Sequence, residues 1–461
     1  MNDFNFNGKS HNSYIDKAIN GNGQEKAAFT LEAMRRLRDR DILNQHVIEI
    51  GPGGGSSVDI ISDSFEKGEQ DGVNLHMSFL ELEGIESEGL KLAQERLAEF
   101  ATSSFHQGDA KNLYSIFGNE VDVVAASAVL HEVYSYGGGY GALDVTFGEI
   151  TNALKPGGFF AYRDVLSVNR LSQHERTRHV YDREAWVRFT QLFLTHYLSE
   201  AEHPYHRHED MLIFEQDSTR VDLSDVDMTK NLSIEAPIGL LREIQRHYIT
   251  LRDYVWREGS LGVTPVLEGV NSSDWVDIKR GHKRVHFTST LHDPLLDALS
   301  EASDDGVESR IVDGDIFDST SEVLLGRFLR KVCDGDKEST AIWSNWLSRE
   351  GSETYVYMTL NKLIGAVAVQ SFTASQGAKI LLPVKSEDVA VAPRAYYNRF
   401  LQGRLSNPIL DGKQMVLFES IDTSDQSSAN EKKVAEALNT MSAHCSKEVL
   451  SEIYDPIRRM F

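Results

Sequence analysis

The first residues able to do chemistry are Glu49-Ile50-Gly51-Pro52-Gly53-Gly54-Gly55, a glycine run led by an acid and preceded by a β-rich stretch. Glycines let a backbone pass close to a ligand, and the helix N-terminus after such a turn offers unpaired N–H groups. Taken alone, the run indicates only a nucleotide. Further along, His131, Glu132, Tyr134 and Tyr136 follow an apolar run, and Asp164 closes a later one. His131 is the candidate general base, since an imidazole titrates near neutral pH; Glu132, Tyr134 and Asp164 are its candidate catalytic companions. The competing role for His131 is packing, or orienting a loop with Glu132. Between His196 and Asp210 stand His196, His203, His206 and His208 with Glu202 and Glu209. Such a cluster suits zinc or a 3d metal in principle. It lacks cysteine and the usual His-x-His-to-Glu spacing, so surface or substrate contact is expected and no metal is assigned.

The elements that must hold these residues alternate. Gln24–Asp41 has a helical stripe of Ala27, Phe29, Leu31, Met34 and Leu37. Strands are expected at His46–Ile50, His76–Glu83, Ser104–Gln107, Val121–Ala126 and Phe159–Tyr162, with a helix across Ser87–Phe100. The nearly continuous apolar run at Val121 suits a buried parallel strand. Strands alternating with helices imply a parallel sheet with right-handed crossovers. Past Val165 the rhythm breaks. Helices are expected from Gln173 to Tyr197 and from Pro237 to Arg257, with no βα alternation between 170 and 335. A helix at Leu360–Phe372, strands at Ala378–Pro383 and Gln414–Phe418, and a helix from Glu431 to Ile453 complete the chain.

Five segments, in order, resemble the class I S-adenosylmethionine-dependent methyltransferase family. Glu49 to Gly55 resembles its first motif, where the acid helps place the methionine end and Gly51, Pro52, Gly53 and Gly55 admit the amino acid and ribose. Phe79-Leu80-Glu81-Leu82-Glu83 resembles the second strand, whose terminal acid binds the ribose hydroxyls. Glu81 and Glu83 both qualify, and Glu83, nearer the rim, is preferred. Gly108-Asp109-Ala110 matches the loop whose Asp accepts from the adenine amino group. Ser127 to Val133 stands at the fourth motif, below the reacting methyl, and Leu154-Lys155-Pro156-Gly157-Gly158 matches the turn before strand five. The fourth motif lacks the Asn/Asp-Pro-Pro-aromatic and Pro-Cys signatures of nucleobase methylation.

The resemblance implies a Rossmann-like α/β sheet, parallel with an antiparallel closing strand, carrying a large mixed, helix-rich insertion. The expected organisation is a tail or lid at 1–23, a cofactor-binding core at 24–170, and a substrate-recognition insertion at 171–335. A return to the core at 336–421 and a C-terminal linker and helix at 422–461 follow; a separate C-terminal domain is the rival arrangement. It implies S-adenosylmethionine as cofactor and in-line methyl transfer to a small or medium-sized acceptor, anionic or nucleotide-containing groups being considered. Transfer of the cofactor's 3-amino-3-carboxypropyl group, or a non-catalytic cofactor-binding module, are the alternatives. Tyr14, Tyr136, Arg163, Arg178, His206 and His208 are the candidate acceptor contacts, because Arg forks and imidazoles suit phosphate or carboxylate.

A net charge of −23 opposes polynucleotides and anionic membranes. No run of eighteen apolar residues exists. Residues 1–23 have no apolar signal core, and Cys333 and Cys445 form no metal or redox motif, so a cytoplasmic enzyme with a small-molecule partner is expected.

Overall fold

The computed structural model describes residues 23–165, 173–206, 212–257, 263–265, 284–289, 300–302, 310–389, 400–409, 412–444 and 447–458. The chain divides into two compact units, one of residues 1–171, 357–389 and 412–461, the other of 172–356 and 390–411.

In the first unit, α1 (Gly23–Arg38) precedes β1 (Asn44–Ile50), α2 (Ser56–Glu66), β2 (Asn74–Glu81), α3 (Glu88–Leu97) and β3 (Thr102–Gln107). A short helix α4 (Leu113–Phe117) leads to β4 (Val121–Ser127), α5 (Leu130–Gly137), α6 (Tyr140–Ala153) and β5 (Leu154–Val165). All seven residues of β4 are buried, as its apolar run requires of a strand covered on both faces. The sheet has seven strands, the sixth and seventh coming from far downstream, and β3, β2, β1, β4 and β5 run parallel. The downstream strands are Lys379–Val389 and Lys413–Asp422; the latter pairs antiparallel with β5, and the two pair antiparallel with each other. The expected α/β sheet with its antiparallel closing strand is therefore present.

Alternation along β5 divides the core. Phe159 and Ala161 pack with Ala27, Phe29 and Met34 of α1 and Leu90 of α3. Phe160 and Tyr162 pack on the opposite face with Leu130 and Tyr134 of α5 and Leu143 and Phe147 of α6. Side chains on a strand point alternately to the two faces, so Arg163 joins the α1 side and Asp164 the α5 side.

The second unit holds β6 (Arg176–Tyr181), α7 (Glu184–Glu200), β7 (Ile213–Gln216), β8 (Thr219–Val221), β9 (Leu232–Pro237) and α8 (Ile238–Arg257). Then come β10 (Val263–Pro265), β11 (Arg284–Ser289), β12 (Glu301–Ala302), β13 (Arg310–Asp313), α9 (Gly314–Cys333) and α10 (Lys337–Trp346). Its strands form two four-stranded antiparallel sheets, ordered β6-β9-β7-β8 and β10-β11-β13-β12. Helix expected from Gln173 is absent up to Tyr181. There β6 pairs with β9 across the 50 residues 182–231, Arg176 opposite Pro237 and Tyr181 opposite Leu232, a long-range pairing that overrides local preference. Trp186, Tyr248 and Tyr181 stack in its core, Trp186 lying 3.6 Å from Tyr248 between ring centroids.

Returning to the first unit, α11 (Leu360–Ala374), β14 (Lys379–Val389) and β15 (Lys413–Asp422) are followed by α12 (Ser428–His444) and α13 (Lys447–Arg458). The single terminal helix expected to Ile453 is thus two helices.

Candidate active site

The site lies along the carboxyl rim of the parallel strands, where ligands of open α/β sheets bind. Gly51, Gly53 and Gly55 all have positive φ, at 62°, 55° and 77°, which only glycine adopts at little cost. Their surroundings differ. A Cβ on Gly55 would lie 2.8 Å from Ala93 Cβ and 3.1 Å from Leu90 Cα, so this glycine lets α2 pack on α3. A Cβ on Gly53 would meet nothing within 4 Å. That glycine borders open space.

Glu49, at 3% exposure, accepts from the Ser57 hydroxyl through Oε1, while its Oε2 is shut from solvent without a hydrogen bond among the described residues. Burial pushes the Glu49 carboxyl above its ordinary pKa, against the pull of Ser57 and the Lys26 charge. Lys26, on α1, is pushed below its ordinary value by burial and by the Arg163 charge, with Glu49 and Glu25 opposing. Ser127 Oγ at the end of β4 and Ser56 Oγ at the start of α2 are also buried without partners among the described residues. Buried polar atoms in proteins are normally satisfied, so Glu49, Ser56 and Ser127 are candidates for contact with a polar ligand.

Beside this region stands a tightly bonded pair. His131, 6% exposed at the start of α5, approaches Asp164 of β5 with Nδ1 at 2.8 Å from Oδ1, and its backbone N–H donates to Oδ2 at 3.0 Å. The Val165 N–H also donates to Oδ1 at 2.7 Å. Burial opposes the Asp164 charge, but His131 and these N–H donors outweigh it and hold its pKa below the ordinary value. An ionised Asp164 favours an Nδ1–H that points to it and so orients the imidazole ring. The turn between β4 and α5 is strained: Ala128, not a glycine, has φ 60° and donates its N–H to the Arg163 carbonyl at 2.7 Å. Such a conformation costs about 1–2 kcal/mol and clusters at functional sites.

Residues 48–162 match the family described as Methyltransferase domain. The chain carries a methyltransferase domain at these residues. No curated protein matches it. Among solved structures it is similar to the CurJ carbon methyltransferase, at 19% identity over 27% of this chain and 30% of that one, TM-score 0.21. It is similar to Streptomyces venezuelae DesVI at 19% identity over 36% and 61%, TM-score 0.23, and to the glycopeptide N-methyltransferase MtfA at 17% over 47% and 81%, TM-score 0.22. The chain spans under a third of the length of the CurJ structure, and likenesses of this extent say nothing about substrate.

Within the methyltransferase domain, β2 ends at Glu81, which is half-buried and accepts from the Leu82 N–H at 2.9 Å. Glu83, preferred as nearer the rim, is exposed in the turn beyond the strand. Asp109 caps the turn at Ala110, accepting from the Lys111 N–H at 2.8 Å, and pairs with Lys111 Nζ at 3.3 Å. Ala110 is buried behind it. Tyr134, expected on the catalytic rim, is instead core: it stacks on Tyr357 with centroids 5.4 Å apart and meets Tyr140 edge-on at 5.0 Å. Glu132 and Tyr136 are half-buried on α5. Arg163, 4% exposed, is committed to Glu25 of α1, its Nε donating at 2.7 Å.

The other candidates lie elsewhere. In the second unit Arg178 pairs with Glu215 at 2.8 Å and Glu235 at 3.3 Å. His206 is exposed and stacks on His203, which is itself buried against Tyr197 and Tyr205. His196 bonds Ser352 Oγ at 3.0 Å. Tyr14 and His208 fall outside the described residues. Sequence reasoning did not single out Lys26, which belongs to a helix read only as an apolar stripe, or Gln414, which only strand pairing brings to the rim.

Proposed function

We propose that this protein methylates a small-molecule acceptor, with His131 as general base. The observation that carries the reading is the two-point contact of His131 with Asp164 at the rim of β4 and β5. Bound S-adenosylmethionine supplies an electrophilic methyl group on a sulfonium. The residues fit that cofactor. Glu49 Oε2 suits its ammonium, the Lys26 ammonium suits its carboxylate, and the space beside Gly53 admits the chain joining them. Glu81, as the last residue of β2, is the proposed ribose ligand in preference to Glu83, with Asp109 beside the adenine and Ser127 facing the cofactor from β4.

For displacement at carbon, the protein's tasks are to align the nucleophile, exclude water and take the acceptor's proton. His131 Nε2 accepts that proton. The ionised Asp164 stabilises the imidazolium that results, as a carboxylate does when it orients a histidine base. Arg163, Arg178, Arg183 and Arg252 are each bonded to a carboxylate, Glu25, Glu215, Glu322 and Asp318 in turn. Arginines so neutralised give little support to an anionic acceptor, and an uncharged one is favoured.

By-product analysis tests the reaction class. After incubation of the protein with S-adenosylmethionine and a metabolite extract, methyl transfer leaves S-adenosylhomocysteine. Accumulation of methylthioadenosine would mean aminocarboxypropyl transfer, and neither product, with cofactor still bound, would mean a non-catalytic module.

A further inference from the structure

On the sheet face that carries Asp164, the neighbouring strand contributes Gln414. The two are directly opposed in the antiparallel β5–β15 pair, one step from the end of β5, with Cα atoms about 5 Å apart. Because β15 enters the sheet where the parallel strands finish, its first residues belong to the ligand-binding rim. Gln414 is 6% exposed, and its Nε2 is closed to solvent and has no hydrogen-bond partner among the described residues. Its neighbour Asp164 already serves His131 and Val165. Gln45, buried at 2%, spends its Nε2 on the Met34 and Ile42 carbonyls, at 3.0 and 2.9 Å, although its own Oε1 is buried without a partner among the described residues. An amide kept buried and unpaired weakens the free protein, and such features persist where a ligand completes them.

We propose that Gln414 is an acceptor-binding residue, whose Nε2 donates to an oxygen of the acceptor and holds the acceptor beside His131. The inference rests on the assignment of His131 as base. It narrows the substrate class to small uncharged molecules that carry, besides the group to be methylated, a carbonyl or hydroxyl oxygen. Sites built to hydrogen-bond a substrate oxygen discriminate strongly against analogues lacking it.

The test uses the full chain with Gln414→Met, which keeps the volume and removes the amide, and with Gln414→Leu as a second apolar replacement. Thermal unfolding is measured alongside transfer of labelled methyl from S-adenosylmethionine into a metabolite extract, with wild type and His131→Asn in parallel. The expected result is a Tm higher by about 2 °C or more, cofactor affinity within about twofold of wild type, and transfer reduced at least about tenfold. A lowered Tm with undiminished transfer overturns the inference, because the amide is then structural. If His131→Asn is inactive while Gln414→Met transfers normally, the Gln414 inference alone fails. If His131→Asn transfers like wild type, the base assignment fails, and the Gln414 variants are judged on their own Tm and transfer.

Discussion

Asp164 grips His131 at two points, accepting from its backbone N–H at 3.0 Å and lying 2.8 Å from its Nδ1. One carboxylate thereby fixes both the start of α5 and the orientation of the imidazole. Asp164→Asn should preserve the fold but turn an amide N–H towards Nδ1, favouring the wrong tautomer. Turnover is expected to fall by about 10²- to 10⁴-fold with cofactor affinity nearly unchanged. Steady-state rates beside binding calorimetry check this, and an unimpaired rate would remove the dyad from the mechanism.

Consecutive residues were the legible part of this site. Glu49 to Gly55 reads as a strand, a turn and a helix start because all three are local. Most of the core strands and the closing pair were legible for the same reason, being short apolar runs bounded by turn residues, whereas β3, Thr102–Gln107, has one apolar residue, Phe105. His131 and Asp164 were both named from the sequence, but their hydrogen bonds depend on β4 pairing with β5. Gln414 was invisible as a site residue, since only the register with Asp164 brings it to the rim across 250 positions. Tyr134 was misplaced because spacing does not reveal that Tyr357 returns from far downstream to stack on it. Segment 176–181 pairs with β9 for an equally non-local reason.

Gly53 and Gly55 should respond differently to a methyl group. Gly53→Ala meets no protein atom and should cost only backbone strain, about 1 kcal/mol, while weakening S-adenosylmethionine at least about tenfold through the space it fills. Gly55→Ala collides with Ala93 and Leu90 and should lower Tm more. Calorimetry and thermal unfolding separate the two; equal cofactor affinity in Gly53→Ala and wild type would move the ligand away from Gly53.

Glu81 and Glu83 offer a second paired comparison. Glu81→Gln removes an ionised acceptor at the rim of β2 and is expected to weaken cofactor binding by about 1.5–3 kcal/mol. Glu83→Gln changes an exposed turn residue and should leave affinity within about twofold. The reverse ranking in binding titrations would restore Glu83 as the ribose ligand.

Acid should destabilise the second unit. Burial drives His179, His203 and His247 from 6.5 down to about 4. These depressed values mean that the unfolded chain binds protons first, so their stabilisation is complete above pH 6.5 and is lost as pH falls towards 4. Glu243 works in the opposite sense, because burial raises its carboxyl to about 8 and protonation then favours the folded state. Between pH 6.5 and 4.5 each group changes stability by about 1.4 kcal/mol per pH unit, and three histidines outweigh one carboxyl. Urea midpoints at pH 7.0, 5.5 and 4.5 should fall in that order, whereas a midpoint constant across the series would show the histidines to be solvated.

The most direct measurement is transfer of label from methyl-labelled S-adenosylmethionine to small molecules of a metabolite extract, run with wild type and His131→Asn at matched cofactor occupancy. Wild type should produce labelled product and S-adenosylhomocysteine in equal amounts, with His131→Asn slower by at least about a hundredfold. Equal rates in the two proteins, or unlabelled product accompanied by methylthioadenosine, would contradict a methyl transfer driven by His131.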